Sequence, residues 1–321
     1  LAESRVEGYR NFATKLWNAA RFCQMNECHP VAGFDPRAVK GTVNRWIVAK
    51  TAEAAQRIGQ AIETYRYDTA ALGAYHFVWG TFCDWYLEFA KPIFTGADLA
   101  AQAETRATAA WVLEQILHIL HPLMPFITEE LWRQTAPRDT DLMTRPWPVV
   151  EGVEDPAAEA EMDWVVRVVG AVRGVRSEMN VPPSAQVALL LGGLAPERQA
   201  WAATHRDLIM RLARLDRLEP TAADADRAAA IAEGAAQIVV DEATLVLPLA
   251  GIIDIAKERA RLDKEITRVE GEIGKVDKKL ANADFMARAP EEVVAEQHER
   301  RAEWSAALAG LREARARLAG G

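Results

Sequence analysis

Hydrophobic residues recur every three or four positions through the first part of the chain, which is the spacing of amphipathic helices. The pattern predicts helices over residues 3–26, 36–65, 68–90 and 99–121, with a restart after Pro122 and Pro125. Such helices are typical of a helical bundle. In the third helix, aromatic residues spaced by four, three and four positions form one stripe that we expect in the bundle core: Tyr75, Trp79, Phe82 and Tyr86.

The pattern changes in the middle of the chain. Residues 151–160 are acidic, small and interrupted by a proline, which is typical of a linker. The following positions predict a helix over 161–178, a strand over 187–191, a helix over 196–215, and a strand pair over 236–240 and 244–249. These elements indicate a small α+β module, whose strand order the sequence leaves open.

Residues 251–321 carry two runs with the heptad spacing of coiled coils. The first consists of Leu262, Ile266, Val269, Ile273, Val276 and Leu280. The second consists of Val294, Gln297, Arg301, Trp304, Leu308, Leu311, Arg315 and Leu318. If the chain folds back at 282–290, Val276 faces Gln297 and Leu262 faces Leu311, so we predict an antiparallel hairpin. Gly274 would leave room for the Arg301 stem to reach solvent.

The patterns together predict a mainly α protein with three parts. We expect a helical bundle over residues 1–150, a small α+β junction module over 161–250, and an antiparallel coiled-coil hairpin over 251–321.

Composition fits a soluble globular protein of about two domains, since 50% of the 321 residues are hydrophobic and 26% are charged. Three cysteines are too few for a disulfide framework, which favours a reducing cytoplasm. Cys23, Cys28 and His29 lack a fourth ligand, so we expect no metal site. We also expect no signal peptide, no membrane partner and, since the chain opens at Leu1 in mid-helix, a longer parent polypeptide.

Charge is distributed unevenly along the chain, whose net charge is −8. Residues 1–50 hold eight Lys or Arg against four Asp or Glu, residues 51–250 hold sixteen against twenty-eight, and residues 251–321 hold fourteen against fourteen. Both ends are therefore more basic than the middle. An acidic protein with locally basic surfaces can still bind RNA at those places.

The first helix carries the most informative pattern. One side is apolar and should be buried: Tyr9, Phe12, Ala13, Leu16, Ala20 and Cys23. The opposite side, here called the polar arc, consists of Arg10, Asn11, Thr14, Lys15, Asn18 and Arg21. The polar arc has three cations and no acid, and Phe22 lies beside it. RNA suits such a surface, because its bases stack on aromatic rings and pair with amides.

Several segments resemble a known family. Residues 8–22 resemble the opening helix of the anticodon-binding domain of bacterial valyl-tRNA synthetases, and residues 82–88 and 121–132 resemble later helices of that domain. The isoleucine and leucine enzymes share such motifs. The tail is more specific and resembles the C-terminal coiled-coil arm of the valine enzymes at Leu249–Asp254, Glu258, Arg261–Leu262, Lys264–Glu265, Lys279–Asn282, Phe285 and Ala289–Val294.

The resemblance implies the tRNA-binding portion of a class I aminoacyl-tRNA synthetase, a cytoplasmic ligase that activates valine with ATP and esterifies it to tRNA(Val). The His-Ile-Gly-His and Lys-Met-Ser-Lys-Ser motifs of the catalytic domain do not occur here. We therefore expect no catalytic residue, no cofactor and no activity from this chain alone, with ATP and Mg belonging to the catalytic domain. The expected partners are tRNA(Val) and that catalytic domain, in a monomer.

The resemblance also implies two sets of contacts with the tRNA. The anticodon would meet Arg10, Asn11, Lys15, Asn18, Arg21 and Phe22. The outer corner of the tRNA would meet Arg261, Lys264, Arg268, Lys275, Lys278, Lys279, Phe285 and Arg288. Purely structural roles stay open, because Phe22 could pack under the next helix and the lysines could be solvated by neighbouring glutamates.

Two other functions remain open at this point. One is a protein-interaction module that uses the coiled-coil hairpin, although the hairpin lacks a second apolar stripe of comparable length. The other is the anticodon domain of an isoleucyl-tRNA synthetase, although those enzymes often end in a zinc module and this tail contains no cysteine.

Overall fold

The computed structural model describes residues 3–220 and 222–318. The chain forms two compact units, one ending at Val166 and the other beginning at Arg167. Within the described ranges, every helix is too short or too polar to cross a membrane.

The first unit is built from helices. Their bounds are α1 Glu3–Met25, α2 Thr42–Glu63, α3 Tyr67–Tyr75, a π-helical segment His76–Tyr86, α4 Leu87–Phe94, α5 Leu99–Leu120, α6 Pro125–Thr135 and the start of α7 Pro156–Glu178. Single 3₁₀ turns lie at Pro36–Ala38 and Leu142–Thr144. The helical bundle predicted for this part is thus confirmed.

The second unit combines a four-stranded sheet with a helical hairpin. After the end of α7 come β1 Val187–Gly192, α8 Pro196–Thr204, α9 Arg206–Ala213, β2 Leu215–Glu219, α10 Asp224–Gly234, β3 Ala235–Val240 and β4 Ala243–Pro248. The hairpin follows as α11 Ile255–Leu280, α12 Ala283–Arg288 and α13 Glu291–Arg317. The strand order is β2-β1-β4-β3, with β1 and β2 parallel and the other pairs antiparallel.

The second helix begins later than predicted, at Thr42 instead of residue 36. Asp35 caps only the 3₁₀ turn, and Gly41 at the N-cap of α2 has no side chain to offer. Glu104 of α5 takes that role: its carboxylate accepts the backbone N–H groups of Lys40 and Gly41, each at 2.9 Å. A carboxylate at this position satisfies free N–H groups and interacts favourably with the positive end of the helix dipole. The capping thereby joins α2 to α5.

The aromatic stripe predicted for the third helix is only half buried. The segment from His76 to Tyr86 is π-helical, so its side chains follow an i, i+5 spacing in place of the α-helical one. Phe82 and Tyr86 are buried as expected, and Phe77 joins them five positions before Phe82. Tyr75 is exposed and Trp79 half-buried, so placing these two in the core was wrong.

The start of α7 is fixed to α2 by charge. The ammonium of Lys50 lies 2.9 Å from both Glu159 and Asp163, and Trp46 Nε1 donates to Asp163 at 2.8 Å. Burial opposes the charge of Lys50, but the hydrogen bonds and charges of the two carboxylates outweigh it, so its pKa is raised. These contacts explain why residues 156–160, predicted as linker, are helical.

The predicted helix over 196–215 is in fact α8, α9 and the first residue of β2. Only Leu215 and Leu218 of β2 are buried, a spacing of three that does not show the alternation of a half-buried strand. Arg214 adopts a left-handed conformation with φ 54° and ends α9. Helix α10 had no counterpart in the sequence analysis.

The helices α11 and α13 form the predicted antiparallel hairpin. Asp263 pairs with Arg315 at 2.8 Å and Asp277 with Arg301 at 2.5 Å. The two aspartates are two heptads apart on α11, and the two arginines are two heptads apart on α13. Leu262, Val269 and Val276 are buried on α11, Gln297 and Ala314 on α13, and Leu318 directly after α13. Ala314 lies inside in place of the predicted Arg315, whose side chain pairs outward with Asp263.

Two glycines in helical segments of the first unit should respond oppositely to alanine. A methyl group at Gly59 would lie 2.9 Å from Nε1 of Trp147, whose N–H donates to the Ala55 carbonyl, whereas one at Gly80 would meet nothing within 4 Å. We expect Gly59→Ala to lower the free energy of unfolding by about 1 kcal/mol through the displaced indole and its hydrogen bond. Gly80→Ala should raise it by about 0.4–1 kcal/mol.

Urea denaturation followed by circular dichroism measures both changes. A gain in stability for Gly59→Ala equal to that for Gly80→Ala would contradict the packing described for Trp147.

Candidate nucleic-acid interface

Burial of one side of α1 fixes its rotation in the bundle. Leu16, Ala20 and Cys23 are at most 1% exposed and Phe12 is 6% exposed, so the opposite side faces outward. Tyr9 is the exception to the predicted apolar side, since it is 64% exposed. The polar arc of α1 is therefore at the surface of the first unit.

The amides of the polar arc are free. Asn11, Asn18 and Arg21 are exposed, and no side-chain hydrogen bond or ion pair engages them within residues 3–220 and 222–318. A polar side chain without an internal partner keeps its full hydrogen-bonding capacity for a ligand. Neither Asn11 nor Asn18 is enclosed by the bundle.

Arg10 and Lys15 are paired with acids, which the sequence pattern of α1 did not indicate. Arg10 lies 2.9 Å from Glu7, with both side chains largely exposed. An exposed pair of this kind contributes little to stability and can be exchanged for another anion. Lys15 lies 2.8 Å from Asp84 at the end of the π-helical segment and 5.0 Å from the ring centre of Trp79.

The Lys15–Asp84 pair is held more firmly than the Arg10–Glu7 pair. Burial opposes the charge of Lys15, yet the hydrogen bond and charge of Asp84 raise its pKa above the usual value. Lys15 therefore stays protonated at neutral pH. Its charge is partly neutralised by Asp84, which makes it a weaker anion ligand than Arg21.

Phe22 is half-buried at the end of the polar arc. Its ring centre lies 6.2 Å from that of Phe94, and the ammonium of Lys91 lies 5.5 Å from it. One part of the ring thus packs against α4 and another part remains open to solvent. A base could stack on the open part next to the positive charge of Lys91.

An aromatic group that sequence reasoning placed in the core lies beside the polar arc. The ring centres of Phe12 and Tyr75 are 5.3 Å apart, and those of Tyr75 and Trp79 are 5.6 Å apart. Tyr75 ends α3 directly before the π-helical segment and is exposed, and Trp79 within that segment is half-buried. No α-helical periodicity reveals this, and Lys91 was also missed because it follows the interrupted segment.

Three of the predicted cations of the hairpin are paired with a glutamate three positions earlier. Arg261, Arg268 and Lys275 each approach the carboxylate of Glu258, Glu265 or Glu272 to 2.6 Å. Arg268 also lies over the ring of Trp304 at 5.2 Å. At these three positions, an ion pair within the helix is therefore an alternative explanation for the cation.

The other four predicted cations of the hairpin have no such partner among the described residues. Lys264, Lys278, Lys279 and Arg288 are exposed and make no side-chain hydrogen bond or ion pair within the described part of the chain. Lys278 and Lys279 are in the last turn of α11, and Arg288 ends α12, so they surround the bend of the hairpin in sequence. Phe285 lies in the same bend and is half-buried.

Side chains that often serve catalysis are tied into the packing of the first unit. Cys83 is buried, which raises its pKa to about 12 and keeps the thiol protonated. His118 bonds to the Glu114 carbonyl, and burial lowers its pKa. Among the described residues, no group of His, Cys, Asp and Glu is arranged to hold a metal ion.

Two family models match this chain. The anticodon-binding domain of tRNA ligase matches residues 44–191, and the valyl tRNA synthetase tRNA binding arm matches residues 254–319. The first match begins after α1, so the polar arc lies outside it. The second match names the valyl arm, which rules against the isoleucyl alternative.

Whole-chain relatives agree with these matches. The valine–tRNA ligases of Caulobacter vibrioides, Zymomonas mobilis subsp. mobilis and Rhodopseudomonas palustris are 53%, 48% and 45% identical, and the alignments cover 99%, 99% and 94% of this chain. They cover 35%, 36% and 34% of those relatives, so the chain spans about a third of the length of the curated relatives it matches. The chain belongs to the valine–tRNA ligase family, of which it holds the anticodon-binding domain and the tRNA-binding arm.

Proposed function

We propose that this chain binds tRNA(Val) at two separate places, the anticodon and the outer corner. In this proposal the bundle over residues 1–150 contacts the anticodon and the hairpin over 251–321 contacts the outer corner. The junction module over 161–250 lies between them in the sequence. The catalytic domain of the complete enzyme, a monomer in the cytoplasm, activates valine with ATP and esterifies it to the bound tRNA. Catalytic chemistry is therefore assigned to residues outside this chain.

The open polar arc of α1 carries the proposal for the anticodon. Asn11 and Asn18 can each donate and accept hydrogen bonds at once, which is what the edge of an unstacked base requires. Phe22 offers a ring for stacking, worth about 1–3 kcal/mol per base. Arg10, Lys15 and Arg21 lie on the same outward side and supply positive charge for phosphates.

The cations at the bend of the hairpin that have no partner among the described residues support the contact with the tRNA corner. Arg288, Lys278 and Lys279 are exposed at the bend of the hairpin, between α11 and α13. A phosphate that meets a free cation releases its counterions without displacing a carboxylate. The paired Arg261, Arg268 and Lys275 are secondary contacts in this proposal, and Lys264 and Phe285 complete the set.

Separate roles for Asn18 and Arg21 predict separate losses. Asn18→Ala should reduce discrimination between tRNA(Val) and the same tRNA with a substituted anticodon by about tenfold, because one base contact is lost. Arg21→Gln should weaken binding of both RNAs alike by about fivefold and flatten the salt dependence by about one phosphate contact. Filter binding over several salt concentrations measures both effects.

The control is Arg57→Gln, which removes the same charge from an exposed arginine of α2 that is paired with Glu53. It should leave discrimination unchanged and reduce affinity by less than Arg21→Gln does. Equal discrimination by wild type and Asn18→Ala, with both proteins folded, would refute the anticodon assignment.

Free and paired cations of the hairpin should contribute unequally to binding. The double variant Lys278→Gln, Lys279→Gln should weaken binding of tRNA(Val) by about threefold to tenfold and flatten its salt dependence, independent of the anticodon. The matched double variant Arg268→Gln, Lys275→Gln changes the net charge by the same amount but removes cations that glutamates already hold. A loss in the second variant as large as in the first would contradict the proposed contact at the bend.

A further inference from the structure

A cavity of about 370 Å³ in the second unit is lined by three arginines. It lies between the end of α7 and the turn that joins α9 to β2. Arg173, Arg176 and Arg214 contribute the charge, Ser177 a hydroxyl, and Val181 and Pro183 part of the apolar wall. None of the described lining residues is acidic. We call this feature the arginine cavity.

Arg176 is the buried member of the arginine cavity, with 8% of its surface exposed. Its guanidinium donates to the carbonyls of Ala185 at 2.7 Å, Pro182 at 3.3 Å and Arg214 at 3.5 Å. All three acceptors are neutral, and within residues 3–220 and 222–318 no carboxylate pairs with Arg176. A buried cation without a counter-charge is unfavourable unless something else compensates it.

Arg214 increases this imbalance. Its side chain is exposed at the cavity, and no ion pair in the described part of the chain neutralises it. Burial, and after it the charge of Arg214, lowers the pKa of Arg176. The fold thus holds the positive charges of Arg176 and Arg214 at one cavity, although the two charges repel each other.

The backbone at the end of α9 keeps the arginines in position. Arg214 has φ 54° and ψ 57°, and in this conformation its carbonyl accepts the N–H of Val187 as well as the guanidinium of Arg176. Arg173 Nε donates to the carbonyl of Leu212 at 2.9 Å. The carbonyls around Arg176 attract its charge, yet they carry only partial charge and leave most of that guanidinium charge uncompensated. An anion is the missing component.

We propose that the arginine cavity binds a phosphate of the tRNA backbone. It would be a third contact, formed by residues that lie in the sequence between the polar arc and the hairpin. The proposal rests on the tRNA binding proposed above. Guanidinium groups match phosphate oxygens with paired N–H donors, and Val181 and Pro183 offer an apolar surface to the adjoining ribose. The contact carries no sequence information, so it adds affinity to any tRNA regardless of its anticodon.

The first experiment measures tRNA binding by the full chain with Arg173→Gln, Arg214→Asn. Asparagine tolerates the left-handed backbone of residue 214, which protects the fold. We expect about fivefold weaker binding of tRNA(Val), the same loss for a tRNA with a substituted anticodon, and a salt dependence flattened by about one phosphate contact. Arg214→Lys should keep most of the affinity, because the charge remains.

The control is Arg217→Gln, which removes a charge on β2 that Glu219 already pairs at 3.1 Å. It should change tRNA affinity little. Unchanged affinity and salt dependence in the folded Arg173→Gln, Arg214→Asn variant would overturn the proposal, and so would an equal loss in Arg217→Gln.

The second experiment titrates the chain without RNA with inorganic phosphate and follows the Nε–Hε resonances of Arg173 and Arg176 by NMR. Saturable shifts in wild type that Arg214→Asn weakens severalfold support an anion site even if anticodon discrimination fails, so failure of the proposed function is distinguishable. Phosphate binding combined with unchanged tRNA binding would assign the cavity to a free phosphate compound and overturn the RNA contact. No shift at either arginine would overturn the site itself.

Discussion

The apolar side of α1 determines what the rest of that helix can do. Leu16, Ala20 and Cys23 are almost completely buried, and rotating α1 to hide its asparagines would expose them to water. Full burial of a side chain the size of leucine is worth about 1.5–3 kcal/mol. Local hydrogen bonds of two asparagines do not offset that loss. Burial of the apolar side of α1 therefore both stabilises the helix in the bundle and keeps the polar arc at the surface.

Charge pairing separates structural cations from available ones in both units. Lys50 is held by Glu159 and Asp163, and it docks α7 on α2. Arg21 and Lys279 have no such partner among the described residues. A net charge of −8 is thus compatible with anion binding, because an RNA meets local surfaces at distances of about one Debye length, roughly 10 Å at 0.1 M salt.

Sequence periodicity was sufficient where helices are regular. It predicted α1, α5 and the antiparallel hairpin, because the α-helical and heptad spacings persist over many turns. It failed where α3 gives way to the π-helical segment, since Tyr75 and Trp79 on either side of that junction are not in the core. It also failed at β2, which buries residues at a spacing of three. The burial of Arg176 depends on carbonyls from three separate positions, so no local pattern could reveal it.

We propose above all that Asn11 and Asn18 of the polar arc contact the anticodon. NMR of the side-chain amides of the full chain, titrated with the anticodon stem-loop of tRNA(Val), tests it most directly. Asn44, which is buried and donates to Glu104 and Thr105, is an internal reference. We expect the amide resonances of Asn11 and Asn18 to shift and saturate together, while that of Asn44 stays in place. Saturable RNA binding that leaves the resonances of Asn11 and Asn18 unmoved would contradict the account.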